Sequence, residues 1–380
     1  MIKKIIKFAF YFFIAAIILI GCEPISVSVN SNGDVAFTRN EGVFYININS
    51  GKVSTIDWNF GQPTIPIIVR WAPDGKTIAL TVKDNKDSQN TSVYIIDKSG
   101  KKKKLYTISK IITQMEWSTD GKYISIAQAG EDTNMNVADI VLISVTDAMS
   151  KTIVENCGDV HKWMNENSIV FIKINKKNEN NGDIFIGELS IYKTEFHNSQ
   201  ALVKAFIART GGLDCNPATN QIAFTAIDTT DDNGDFTENM TADAYLYLYD
   251  LKDKKLNKWT DDIINFTEFS PDGNNILIKI KDKEGYSAIN LGFINLQDNS
   301  LKLLVKNTTD TVSANSSSVQ VYPTWLDNGN VLYWRLSNNY GSSGDYLQLM
   351  SINISNLKKK NHQVTIDTEI QKMVESKGGY

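Results

Sequence analysis

Cysteine and histidine are scarce in this chain, three of each in 380 residues. His161, His197 and His362 are scattered and form no metal-binding spacing. Cys157 and Cys215 match no zinc ligand set. The two cysteines also fall at non-equivalent points of the repeat described below, so no disulfide is expected between them. Catalytic signatures are missing as well. There is no G-x-S-x-G, the "YGSSGDY" at 340–346 having the wrong spacing, and no H-E-x-x-H, phosphate loop or dinucleotide fingerprint. The expectation is therefore a protein that is not an enzyme. A basic excess is absent too: the formal charge is −4, which argues against a nucleic-acid partner. The only basic block, Lys101 to Lys104, is expected at a solvated turn.

Long apolar runs are limited to one. "FAFYFFIAAIILI", 13 residues behind the basic "MIKKIIK", is too short for a comfortable membrane span and has the length of a signal-peptide core. It ends in Leu19-Ile20-Gly21-Cys22, which resembles the bacterial lipobox, where a small residue precedes a cysteine that becomes acylated. The resemblance implies a cleaved signal peptide over 1–21, lipidation at Cys22, a tether over 22–24 and attachment to a membrane of the bacterial cell envelope. Cleavage would remove Lys3, Lys4 and Lys7, leaving 36 basic residues against 43 acidic ones, a charge of −7.

The rest of the chain repeats itself. "WAPDGKTIAL" starts at Trp71, "WSTDGKYISI" at Trp117, "WMNENSIVFI" at Trp163, "CNPATNQIAF" at Cys215, "FSPDGNNILI" at Phe269 and "WLDNGNVLYW" at Trp325; "VNSNGDVAF" at Val29 is a seventh copy. The intervals are 42, 46, 46, 52, 54 and 56 residues, the spacing of propeller blades. In the turn, proline presets φ, aspartate bonds the backbone and glycine supplies φ > 0. The preceding aromatic offers a large apolar body for packing against a neighbouring blade. The expected fold is all-β: a seven-bladed β-propeller of four-stranded antiparallel blades at about 25–57, 65–108, 111–154, 158–207, 209–260, 263–306 and 319–370, with a tail over 371–380. Asn167 and Thr219 stand where glycine is expected in two copies.

These motifs resemble the W-S-P-D-G-K hairpin of TolB-like and WD-like propellers. The resemblance implies the fold and little about function. TolB itself carries an additional N-terminal α/β domain, whereas here three residues separate Cys22 from the first expected strand. Blade closure is expected without a strand exchanged between the chain ends, with Gln363–Glu369 as the last strand.

Within a blade, the A–B and C–D turns share one face of the disk, and the B–C loops and D–A connections share the other. The second set is longer and more irregular, so binding is expected there. Phe236 and Tyr340 are the candidate contact residues on those loops. In "DTTDDNGDFTENMTAD" (228–243), Asp231, Asn233 and Asp235 alternate like the first ligands of a calcium loop, with Thr237 and Asp243 as later ones. Phe236 occupies the place of the sharp-turn glycine, so calcium is a candidate cofactor rather than an implied one. Tyr245, Tyr247 and Tyr249 in "AYLYLYD" alternate with bulky residues and read as core packing. The leading functional expectation is a non-catalytic recognition platform for another envelope protein. The alternative is a ligand-binding or glycan-active propeller with its site in the central channel. An enzyme would show carboxylates or histidines converging on that channel, which no local motif reveals.

Overall fold

The computed structural model describes residues 26–39, 42–56, 64–84, 90–129, 137–177, 185–194, 197–227, 244–260, 262, 264–281, 289–305, 320–337 and 346–365. They form 26 strands, all paired antiparallel, in five sheets. The first sheet holds β1 (Ser26–Val29), β2 (Asp34–Arg39), β3 (Gly42–Asn47) and β4 (Lys52–Ile56). The second holds β5 (Thr64–Trp71), β6 (Thr77–Asp84), β7 (Thr91–Asp97) and β8 (Lys102–Ile108). Ten strands then run as one sheet. They are β9 (Ile112–Trp117), β10 (Tyr123–Ala129), β11 (Ala138–Ser144), β12 (Ser150–Asn165), β13 (Ser168–Lys177), β14 (Phe185–Lys193), β15 (Asn198–Asn216), β16 (Gln221–Ile227), β17 (Ala244–Asp250) and β18 (Lys255–Lys258). Two more sheets of four follow: β19 (Ile264–Phe269), β20 (Asn275–Lys281), β21 (Ile289–Asn295) and β22 (Leu301–Val305); then β23 (Gln320–Asp327), β24 (Asn330–Ser337), β25 (Tyr346–Asn353) and β26 (Lys359–Thr365).

The all-β, antiparallel, four-stranded expectation holds for the sheets at both ends of the chain. The ten-stranded sheet departs from it for a local reason. β12 and β15 each serve two neighbours, and only a break in register separates their halves, between Cys157 and His161 and between Ala208 and Leu213. The last described strand spans Lys359–Thr365; it covers the start of the strand expected over Gln363–Glu369, whose remaining residues lie outside the described ones.

The repeated hairpin behaves as its chemistry dictates. Gly75, Gly121 and Gly273 sit at φ of 65°, 72° and 72°. The preceding aspartates accept backbone N–H groups two residues on, Lys76 to Asp74, Lys122 to Asp120 and Asn274 to Asp272. Where Thr219 replaces glycine, Asn220 adopts positive φ instead, one residue later. A second set of turns, between the third and fourth strands of each hairpin pair, places one positive-φ residue in each of seven positions: Gly51, Gly100, Ala148, His197, Lys254, Asn299 and Leu357.

Cores lie between neighbouring sheets. Val35, Phe37, Phe44 and Ile46 of the first sheet pack with Leu332 and Leu349 of the last, closing a circle through side chains, with no strand shared between the two sheets among the described residues. Tyr249 is buried in the same core as Tyr247, which stacks on Phe224 at 5.7 Å, so the tyrosine stripe is packing. Lys102–Lys104 lie on β8, which pairs along one side only, rather than in a turn.

Candidate functional site

The residue immediately before the first position of the repeat, an aromatic in five copies, Val29 in one and Cys215 in another, is polar in all seven: Ser28, Arg70, Glu116, Lys162, Asp214, Glu268 and Thr324. Each lies near the end of the first strand of its repeat, and those strands pack against one another in order around the circle, β1 on β5, β5 on β9, β9 on β12, β12 on β15, β15 on β19, with β23 returning to β1. The polar side chains form a belt from strand to strand. The Trp71 N–H donates to Ser28 Oγ (3.0 Å), and Arg70 reaches Ser26 Oγ (3.0 Å) and Glu116 (3.8 Å). Lys162 Nζ donates to Glu116 Oε1 at 3.0 Å. The Phe269 N–H donates to Asp214 Oδ2 (2.7 Å), and the Thr324 hydroxyl to Glu268 Oε1 (2.8 Å). The repeat aromatics lock the same seams: Trp117 Nε1 donates to the Arg70 carbonyl and Trp325 Nε1 to the Glu268 carbonyl, both at 3.1 Å.

Charge is unevenly distributed around the belt. On one side Arg70, Glu116 and Lys162 neutralise one another. Burial alone would raise the Glu116 pKa, but Lys162 and Arg70 outweigh it and hold it below the usual range. Burial likewise opposes the Lys162 charge, yet Glu116 and Asp214 carry its pKa above normal. On the other side Asp214 and Glu268 have no ion pair among the described residues. Burial raises Asp214 against the pull of Lys162, and burial together with Asp214 pushes Glu268 up to about 7. The belt is enclosed by protein yet open to solvent, since the Glu116 and Lys162 side chains keep 17% and 31% of their surface.

Beneath it, His161 is fully buried. Its Nε2 meets Ser125 Oγ at 2.7 Å, Trp163 Nε1 donates to the same oxygen at 2.9 Å, and burial depresses the histidine to about 4. Its role is a neutral core group. Cys157 and Cys215 are both free thiols, raised by burial.

Cys22, Asp231, Asn233, Asp235, Phe236, Thr237, Asp243 and Tyr340 all lie outside the described residues. The belt also sits at the short-turn end of the first strands, opposite the long loops on which binding was expected. Its signal was present as one column of the repeat alignment, polar at every copy.

No family model matches the chain, and no curated protein does. Solved structures do. The β-propeller domain of the Trilobed protease from Pyrococcus furiosus, described as having an open velcro topology, superposes with a TM-score of 0.60 at 12% identity, over 89% of this chain and 94% of that one. An oligogalacturonate lyase in complex with manganese gives 0.61 at 11%, over 89% and 91%. Pyrococcus horikoshii acylaminoacyl peptidase gives 0.59 at 12%, over 91% of this chain and 53% of its own. TolB from Acinetobacter baumannii, at a TM-score of 0.46 and 12% identity, is too distant to carry an argument. The expectation of a protein that is not an enzyme is corrected here. Chains of this fold include a lyase and peptidases, and the carboxylates that a motif search could not find do converge on one belt. At these identities the likeness extends to fold alone: the chain is a β-propeller.

Proposed function

We propose that this chain is a seven-bladed propeller that binds a polar ligand in its central channel, with the belt of Arg70, Glu116, Lys162, Asp214 and Glu268 as the site. The seven-blade count is supported by the seven positive-φ turns and by β12 and β15 each serving as the last strand of one blade and the first of the next. The observation that carries the binding reading is the convergence of three carboxylates and two cations from five different strands. Titratable groups shifted by burial and by specific neighbours cluster at functional sites. Glu268, near 7 beside Asp214, also has the proton affinity that acid–base chemistry at neutral pH uses. The protein is proposed to work tethered through an acylated Cys22 at a bacterial envelope membrane. Recognition of an envelope protein ranks second, since Phe236 and Tyr340, its expected anchors, lie outside the described residues.

The test is a thermal-shift and calorimetric screen of the full chain against amines, amino acids, sugar acids and neutral oligosaccharides, repeated with Glu116→Gln and Glu268→Gln. A ligand that raises the parent's melting temperature, and raises the variants' less, supports the site. Equal shifts in parent and variants move binding off the belt.

A further inference from the structure

Cys157 on β12 pairs with Ala138 of β11 on one side and with Lys173 of β13 on the other. It marks the point where β12 changes partner: the residues before it pair with β11, those after it with β13. The first half of β12 and the end of β13 therefore diverge from Cys157, and a cleft of about 510 Å³ lies in the fork. Glu155 and Asn156 of β12 line one wall; Lys173 and Ile174 of β13, with Ser199 of β15, line the other. No belt residue lines it. Its size falls within the roughly 300–1,000 Å³ of small-molecule sites.

A bulge sets the first wall. Between the pairs Ala138↔Cys157 and Ile140↔Val154, β12 places Glu155 and Asn156 where β11 has Asp139 alone. Asn156 takes a φ of 56°, and its N–H donates to Asp139 Oδ1 at 3.2 Å. An ordinary strand sends successive side chains to opposite faces, and the extra residue breaks that alternation, so adjacent residues share the cleft. Other charges nearby are already engaged. Asp139 is paired with Lys110 at 3.7 Å, and Glu188, opposite Lys173 on β14, accepts from Ser190 Oγ at 3.0 Å. Glu155 and Lys173 themselves form no ion pair among the described residues.

We propose that this fork binds a zwitterion with a free ammonium and a free carboxylate, an amino acid or a short peptide. Its ammonium meets the Glu155 carboxylate and its carboxylate the Lys173 ammonium. The Asn156 amide and the Ser199 hydroxyl supply donors and acceptors for the polar groups between. A ligand with a single charge is attracted by one wall and repelled by the other, and a neutral sugar leaves both charges unanswered. The site is separate from the belt and does not depend on the channel reading.

The test is calorimetric titration of the full chain with alanine, trialanine, the blocked N-acetylalaninamide and maltose. It is repeated with Glu155→Gln, Lys173→Met and, as the belt control, Glu268→Gln, each checked for folding by circular dichroism. Zwitterion binding that weakens about tenfold or more in both cleft variants, and holds in Glu268→Gln, supports the site. Tighter binding of alanine then marks a free amino acid as the ligand, and tighter binding of trialanine a peptide. Zwitterion binding that either cleft variant leaves unchanged overturns the inference; if Glu268→Gln abolishes it, the ligand sits in the channel instead. Equal binding of the blocked compound or of maltose also overturns it, because the two charges are then not read. No binding by any probe overturns it as well and leaves the channel reading to its own test.

Discussion

At the residue scale, the turn glycines have two separate duties. Gly273 sits at φ 72°, and a Cβ there would overlap the Asn216 side-chain amide of the neighbouring sheet. Gly273→Ala therefore combines backbone strain with a collision, and is expected to cost about 1–3 kcal/mol, read as a lowered denaturant midpoint. Leu357, at φ 57° and 49% exposed, carries the same strain with nothing to justify it in contacts. Leu357→Gly is expected to stabilise by about 0.5–1 kcal/mol. Titration behaviour follows from burial. Glu268 is raised above its ordinary value, so the folded state keeps a proton that the unfolded chain has lost, and this contribution declines as pH rises from about 4.5 to about 7. Glu268→Gln is expected to melt above the parent at pH 8 and close to it at pH 4. His161 has the opposite sign, depressed to about 4. It contributes fully above pH 6.5, and that stability is lost as pH falls from there through 4.

At the element scale, neighbouring first strands are joined by side chains standing in for a ladder. Gln114 on β9 is the clearest case: the His161 N–H donates to its Oε1 at 2.7 Å, and its Nε2 donates to the His161 carbonyl at 3.0 Å. One glutamine thus completes the backbone pairing of β12 across the seam. Gln114→Leu keeps the volume and leaves both backbone groups unmatched. We expect a loss of about 2 kcal/mol or more, with faster hydrogen exchange at the His161 amide. The outer strands show a different device. β8, β18, β22 and β26 carry lysines where a sheet edge would otherwise invite pairing with another chain. Several cover aromatics of the strand inside them, as Lys258 does over Tyr245 at 3.9 Å and Lys104 over Tyr94 at 5.9 Å.

At the scale of the whole molecule, the closure between the first and last sheets is held, among the described residues, by side-chain packing with no strand exchanged across it. Leu349 and Leu332 are fully buried there against Val35, Phe37 and Phe44. Leu349→Ala is expected to cost about 2–5 kcal/mol. Its signature is hydrogen exchange rising together in β1–β4 and β23–β26, with the ten-stranded sheet protected until global unfolding.

Much of this was legible locally. The Pro-Asp-Gly hairpin, the period of 42 to 56 residues and the alternating strands need only neighbours in the chain, so the sequence by itself determined an all-β repeat with a circular architecture. Only the tertiary structure decided that Ser28, Arg70, Glu116, Lys162, Asp214, Glu268 and Thr324, spread over about 300 residues of the chain, share one belt. It also decided that Glu116 is paired with both Arg70 and Lys162, while Asp214 and Glu268 have no ion pair among the described residues. Strand alternation tells which residues share a face, but not which face turns toward the channel. Charge pairing across a seam depends on distances that no local pattern contains.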